Sequence, residues 1–390
     1  MLDFEFYIPT KVFFGKGKQT QLGKIISDYG YKKIMLQYGK GSIKSNGLYD
    51  EIMSSLSKHN IQVVEMGGVE PNPKIEFIRE AVKLAKETDV ELILAVGGGS
   101  VIDAAKYTAL GAKADCDIWD FVTGKEKPKA ALPTGCVLTI AAAGSEMSAS
   151  AVVTDLSLNM KRGFTSELNR PLFAICNPEL TYTVTLYQTA CGITDIMAHT
   201  IERYFTPCEP TDLTDRIAES ILKSVICSAK VVMKNPSDYD ARANIMWASS
   251  LSHNNLTGCG RINALPVHQL EHALSGEFDN VSHGAGLAVL FPAWAKYVYM
   301  HNISRFAQFA RRVWDVDESD DKKAAEKGIE AMAEFFKSIG MPSALREFDI
   351  DENCIVRLAE LCTFNGKRTI RSVIELGNKE IKDIFYDCFN

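Results

Sequence analysis

Through the first 180 residues, short apolar runs alternate with stretches whose apolar positions recur at helical spacing. The runs at 33–37, 62–66, 92–96 and 136–140 have the length and branching of buried strands, and further strands are expected at 151–155 and 172–176. Between them, 48–59 and 74–87 read as amphipathic helices. Strand, helix, strand in this rhythm predicts βαβ units and a parallel sheet covered on both faces. After Asn177-Pro178 the texture changes. Residues 212–234, 238–257, 287–315 and 321–339 read as long helices, the last closing on Gly340 as helix ends often do. The expected organisation is an α/β domain over 1–180 and an all-helical domain over 181–390. The opening segment from Phe4 to Phe14 alternates like a strand, and such a strand presents an edge that needs covering.

Within this pattern, LILAVGGGSVIDAAK (92–106) runs an apolar strand into Gly97, Gly98 and Gly99, then Ser100, then an amphipathic helix. Glycines allow close backbone approach, and a helix N-terminus offers free N–H groups and the positive end of a dipole, so this is a phosphate cradle. A tight strand-to-helix turn would ordinarily need one glycine. The loop departs from the G-x-G-x-x-G fingerprint because Ile102 holds the last glycine position, and it follows a later strand than the first. The fold class is therefore a variant of the dinucleotide-binding, Rossmann-like theme. A second small-residue stretch, TIAAAGSEMSAS (139–150), follows the next expected strand, and its Thr139 and Ser145 hydroxyls are candidates for the same ligand.

Histidine is scarce, seven in 390 residues, yet four fall in two short segments. Asp195 and His199 are four apart, as are His268 and His272, so each pair shares a helical face. His283 follows in a Gly-flanked turn. A carboxylate with several imidazoles is a common ligand set for a divalent transition metal. His59, His253 and His301 are assigned ordinary packing or surface roles.

Composition narrows the partners. A net charge of −6 without any basic run argues against a nucleic-acid surface. Ten scattered cysteines with no C-x-x-C pair suit reduced thiols and a cytoplasmic location better than a disulfide framework. The N-terminal segment lacks the features of a signal peptide, and no apolar run reaches the roughly 18 residues of a membrane span.

The motifs PTKVFFGKG, VEPNP, GGGSVIDAAK, LTIAAAGSEMS, NPEL, DIMAHTIE, HQLEHALS and SHGAGLA occur in this order along nearly the whole chain. In them the sequence resembles the iron-containing (group III) alcohol dehydrogenases, especially the butanol dehydrogenase and aldehyde reductase branch. The resemblance implies Asp195, His199, His268 and His283 as metal ligands, with His272 beside the metal as a proton relay. It implies Gly97, Gly98, Gly99, Ser100 and Asp103 at the cofactor's pyrophosphate and nicotinamide side, and Thr139, Ser145, Lys161 and Asn72 at further cofactor contacts. Where many family members carry a threonine, this chain has Ala143, so one hydroxyl contact is missing. The metal implied is Fe(II), with Zn(II) as substitute, and the assembly implied is a homodimer paired through the first strand.

The expected reaction is oxidation of a primary alcohol such as butanol, or reduction of butanal. A Lewis-acidic ion stabilises the charge on the substrate oxygen while hydride passes to or from nicotinamide. The two halves of the chain would meet at the reaction, with the ligand site in the interdomain cleft. A glycerol-dehydrogenase-like polyol enzyme and a dehydroquinate-synthase-like cyclase are the alternatives; the cyclase needs several Lys and Arg residues, and Arg203 and Arg261 are the nearby cations in sequence. For the cofactor, the strand at 33–37 leads into YGKGSIKSNG, where a dinucleotide fold holds the adenosine ribose. An acid there selects NAD(H). This chain has Gly39, followed by Lys40, Ser42 and Lys44, a set that favours NADP(H) over NAD(H).

Overall fold

The computed structural model describes residues 1–207 and 210–389. The chain divides into two compact units: Tyr7–Val184, and a second formed by Met1–Phe6 together with the chain from Thr185 onward. Among the described residues no helix is long and apolar enough to cross a membrane.

The first unit contains strands β1 (Lys11–Phe14), β2 (Lys33–Gly39), β3 (Gln62–Val69), β4 (Leu92–Gly97), β5 (Thr134–Leu138), β6 (Ser150–Asp155), β7 (Met160–Thr165) and β8 (Phe173–Cys176). Its helices are α1 (Leu22–Asp28), α2 (Ser42–Ser45), α3 (Leu48–Ser57), α4 (Ile75–Glu87), α5 (Gly99–Ala112) and α6 (Ile118–Thr123). Six strands form one parallel sheet in the order β1-β8-β5-β4-β2-β3. The central strands are apolar throughout because both faces are covered: Ile34, Leu36, Leu92, Leu94 and Val96 pack with Leu22, Leu48 and Ile52 from α1 and α3 in one buried core. The chain steps outward from β2 to β3, returns over β2 to β4, then proceeds the other way to β5 and β8. The order therefore reverses between β2 and β4, and the crevice at such a reversal, beyond the strand C-termini, is where open α/β sheets bind ligands. Tyr38 is in register with Val96, so Gly39 and Gly97 leave the sheet at the same level.

Three strand expectations change. The run at 136–140 is strand only as Thr134–Leu138, and the Thr139 N–H makes the last ladder bond, to the Gly97 carbonyl at 3.0 Å. The strand at 151–155 leaves the main sheet and pairs antiparallel with β7 in a separate two-stranded sheet. Of the segment from Phe4 to Phe14, only Lys11–Phe14 is strand, and it pairs parallel with β8 at the sheet edge. Alternation reports a half-buried extended chain, not which strand will be its neighbour.

The second unit is helical: α7 (Leu186–Tyr204), α8 (Asp212–Val232), α9 (Tyr239–His253), α10 (Pro266–Glu277), α11 (His283–Val298), α12 (Ile303–Val313), α13 (Asp321–Ser338), α14 (Ile355–Thr363) and α15 (Asn378–Asp387). The expected helix at 287–315 is two helices, parted where Asn302 takes φ −154° and ψ 59°. Both pack on α13, which is why one apolar period runs across the break. The C-terminal end of α7 is pinned by Arg305 of α12, whose guanidinium donates to the Tyr204 carbonyl at 2.9 and 2.8 Å and to both Asp215 oxygens. A cation on the last carbonyls of a helix satisfies orphan acceptors and complements the dipole.

Candidate active site

Helix α7 is capped by Thr185, whose side chain accepts from the Gln188 N–H, and it is buried over most of its length from Thr189 onward. Asp195, His199 and Glu202 fall on one face of it at i, i+4 and i+7. The three imidazoles implied as ligands converge on one oxygen, Asp195 Oδ1: His199 Nδ1 at 3.1 Å, His268 Nε2 at 3.4 Å and His283 Nε2 at 3.7 Å. Metal–ligand bonds of about 2.1 Å put neighbouring donor atoms roughly 3 to 3.5 Å apart, so these separations suit a small divalent ion held by one carboxylate and imidazole nitrogens. Ligand atoms of Asp195, His199 and His268 lie within 4.8 Å of one another.

Two buried glutamates that sequence reasoning missed stand behind this set. Glu202 Oε2 contacts His268 Nδ1 directly, and its Oε1 accepts from the backbone N–H groups of Val267 (2.5 Å) and His268 (3.1 Å). Helix α10 has no side-chain cap of its own and starts on Pro266, so a carboxylate from α7 serves as its cap. That one contact fixes the start of α10, orients His268 and leaves its Nε2 facing Asp195. Glu271 does the same for His283 by contacting its Nδ1. A carboxylate on the far nitrogen of a ligating histidine sets ring orientation and raises ligand basicity. Replacing Glu202 with glutamine is expected to weaken metal affinity roughly 10- to 100-fold, measured by competition with a chelator; unchanged affinity would remove Glu202 from this role.

The glycines of SHGAG now have reasons. His283 is the first residue of α11, not part of a turn. A Cβ on Gly284 would lie 2.2 Å from the Cys191 carbonyl oxygen of α7, and one on Gly286 would lie 3.1 Å from Glu271 Cγ. Only glycine lets α11 close onto α7 and bring His283 to Asp195. His272, one turn beyond His268 on α10, has its ring 5.7 Å from that of His283 and 6.4 Å from that of His268. It is partly exposed and stands beside the set. Glu271, His272 and His283 also bring ligand atoms within 4.8 Å.

His253 departs from its ordinary assignment. Its ring lies 3.9 Å from that of His199, and its Nδ1 is 3.0 Å from Arg203 Nη2. A lone histidine at the end of α9, more than fifty residues from His199, carries no local signal of this. His59 and His301 are exposed, in keeping with their assignment. The electrostatics follow from burial and proximity. Burial works against the Asp195 charge, yet His199, His268 and His283 hold its carboxyl well below the usual range. Burial and the neighbouring His268 push His199 down to about 3. Burial opposes charge on His268 as well, but Glu202 and Asp195 outweigh it and raise it to about 9.

In the first unit, α5 begins right after β4 with Gly98 as its N-cap and no acidic residue in its first turn, which leaves the positive end of the helix free for an anion. A Cβ on Gly97 would fall 2.5 Å from Val101 Cγ2, on Gly98 3.3 Å from Ile140 Cβ, and on Gly99 3.3 Å from Ala143 Cβ. Gly97 thus makes room for Val101 of α5, while Gly98 and Gly99 let the loop after β5 lie against the loop after β4, which brings Thr139 and Ser145 toward the Gly97–Ser100 segment. Asp103 is engaged internally: Oδ1 accepts from Ser145 Oγ at 2.6 Å and Oδ2 from the Val152 N–H at 2.9 Å. Lys106, one turn on and fully buried, donates to Ser145 Oγ and to the carbonyls of Ser148 and Ser150 at 2.8 to 3.0 Å. Burial lowers its pKa to about 8. Asp103 and Lys106 thus clamp the 145–152 segment to α5, a role the motif GGGSVIDAAK did not disclose. Asn72 sits in the left-handed region at φ 50°, and Lys161 is buried in β7. Gly39 ends β2, Ser42 opens α2, and Lys44 lies over the rings of Tyr38 and Tyr49.

Residues 9–178 match the family described as iron-containing alcohol dehydrogenase, and residues 189–389 match the C-terminal region of the Fe-containing alcohol dehydrogenase family. The chain belongs to the iron-containing alcohol dehydrogenase family. It is 40% identical over 387 residues to NADH-dependent butanol dehydrogenase A of Clostridium acetobutylicum, with 99% of each chain covered. It is 36% identical over 369 residues to the NADPH-dependent aldehyde reductase YqhD of Escherichia coli, with 94% of each covered. A crystal structure of NADH-dependent butanol dehydrogenase A from Thermotoga maritima superposes with a TM-score of 0.97 at 36% identity, covering 100% of this chain and 99% of that one. As an iron-containing alcohol dehydrogenase the protein is an NAD(P)-linked alcohol and aldehyde oxidoreductase.

Proposed function

We propose that the protein interconverts medium-chain primary alcohols and aldehydes such as butanol and butanal, favouring reduction at physiological pH. The observation that carries this reading is the convergence of three imidazoles on Asp195, two of them backed by buried carboxylates. Asp195, His199, His268 and His283 hold one divalent ion, Fe(II) or in its place Zn(II). When bound, the ion supplies Lewis acidity at the substrate oxygen and the nicotinamide supplies or accepts hydride. The chain's own residues do the rest. Glu202 and Glu271 keep His268 and His283 turned with Nε2 toward the ion, and His272 gives a proton to the product oxygen or takes one from the alcohol, directly or through water.

The cofactor is bound by Gly97, Gly98, Gly99 and Ser100 at its pyrophosphate, with Thr139, Ser145, Lys161 and Asn72 around it. Asp103 acts through Ser145. Gly39, Ser42 and Lys44 receive the adenosine ribose, and the missing acid at Gly39 favours NADP(H). The named relatives include both NADH- and NADPH-dependent enzymes, so the choice rests on this turn. The described cysteines are all free thiols, which supports a cytoplasmic location. The exposed apolar side chains of Met1, Leu2, Phe4, Phe6 and Tyr7, and separately the open edge of β1, support pairing of two copies as a homodimer.

The test is a substrate panel read at 340 nm with NADPH and with NADH. Strong turnover of butanal is expected; activity confined to polyols or sugar phosphates overturns the reading. In the same assay Gly39→Asp is expected to cut kcat/KM for NADPH about tenfold or more, the effect of a carboxylate a few ångströms from a phosphate dianion. A wild type that prefers NADH, or a Gly39→Asp variant that keeps its NADPH preference, removes the turn from that role.

A further inference from the structure

Behind the Gly39 turn lies a compact polar cluster that neither the metal site nor the phosphate cradle uses. Glu65 of β3 accepts from Tyr38 Oη at 2.9 Å and from Tyr49 Oη at 2.7 Å, one tyrosine on each carboxylate oxygen. Tyr38 can lie across β3 because position 67 is glycine: a Cβ there would sit 2.5 Å from the Tyr38 ring. The Lys44 ammonium is 4.0 Å from Glu65 Oε2 and lies 5.0 and 4.7 Å from the ring centres of Tyr38 and Tyr49. The neighbouring Lys40 is itself paired with Glu70 at 2.6 Å. The hydrogen bond from Tyr49 holds the Glu65 carboxyl below its usual range, and the same bond pushes Tyr49 up to about 12, so the carboxylate is charged at neutral pH.

We propose that Glu65 is a specificity-determining residue that moderates the preference for NADP(H) by drawing Lys44 onto the Tyr38–Tyr49 pair and opposing a 2′-phosphate. The inference rests on the assignment of the Gly39 turn to the adenosine ribose. A turn without an acid accepts a 2′-phosphate, but here its ammonium is already shared with a fixed carboxylate and two aromatic faces. Binding a phosphate dianion through Lys44 must therefore compete with an existing ion pair. The pair is partly exposed, so its removal changes selectivity by a modest factor.

The experiment compares wild type, Glu65→Gln, Lys44→Met and the double variant. Calorimetry measures binding of adenosine 2′,5′-bisphosphate and of 5′-AMP, and kinetics gives kcat/KM for NADPH and NADH. Glu65→Gln is expected to raise the bisphosphate-to-AMP affinity ratio about threefold to fivefold. Lys44→Met is expected to lower it, and Glu65→Gln to have a smaller effect once Lys44 is gone. If Lys44→Met lowers the ratio while Glu65→Gln leaves it unchanged or lowers it, the role of Glu65 is wrong and the turn assignment stands. If Lys44→Met and Gly39→Asp both leave the ratio unchanged, the turn assignment fails and the inference falls with it. Should Glu65→Gln unfold, Tyr49→Phe serves instead. It frees one carboxylate oxygen for Lys44 and is expected to lower the ratio; an unchanged or higher ratio overturns the proposal.

Discussion

Replacing His268 with alanine is expected to strip the protein of its metal and lower kcat/KM by roughly a thousandfold or more, the several kcal/mol that a Lewis acid contributes at a developing oxyanion. The reason is geometric. His268 is the imidazole most firmly set in the cluster, with Nδ1 on Glu202 and Nε2 3.4 Å from Asp195 Oδ1. Its loss leaves a gap beside the buried side chains of Asp195 and His199. The Glu202 carboxylate would lose one partner but keep the Val267 and His268 N–H groups, so α10 should retain its cap and the fold should survive with a reduced Tm. Elemental analysis of the purified variant is the deciding measurement. A normal metal content removes His268 from the ligand set, whatever the activity does.

Replacing His272 with alanine is expected to separate chemistry from metal binding. His272 stands one turn from His268, partly exposed, with its ring 5.7 Å from that of His283. The variant should keep its metal and fall in kcat by about 10²- to 10⁴-fold, the usual range for a positioned acid or base. Added imidazole should restore part of the loss, because a diffusing base can enter the space left by a partly exposed side chain. A variant that turns over within a factor of about two of wild type would end the proton-relay assignment. Read together, the two substitutions distinguish an ion holder from a proton carrier on the same helical face.

The surroundings of the cluster also bear on the lyase alternative. A cyclase acting on a phosphorylated, carboxylated substrate needs cations free to receive it. Arg203 donates to the His199 and Ser252 carbonyls and lies on His253, while Arg261 donates to the Arg203 carbonyl and pairs with Asp215. Both are spent holding the helical unit together.

The parallel sheet was legible because its strands are buried on both faces and so read as unbroken apolar runs. The paired histidines were legible because a helix converts a spacing of four into one face, and the glycine loop because three adjacent glycines after a buried strand have few other reasons to exist. Those signals are local, and local signals are what a one-dimensional pattern carries. What lay beyond them is contact between distant segments. Glu202 reads as one more polar residue on a helix until His268 of α10 comes against it, 66 residues later. His253 reads as an ordinary packing or surface histidine until α9 packs on α7 and sets it against His199. Lys106 reads as an exposed helix lysine until the 145–150 segment folds over it. The break at Asn302 escaped notice because α11 and α12 bury their apolar faces on the same helix and keep one period. Periodicity states that a face is buried, never against what. The strand order was likewise decided in three dimensions: β4 lies beside β2 rather than β3, and that choice sets the Gly39 turn level with the glycine loop. The amino-acid sequence by itself determined most of the elements and the kinds of side chain each one carries. The tertiary structure alone decided which carboxylate supports which histidine and which loop faces which turn, because those pairings are made through space by the packing of buried faces.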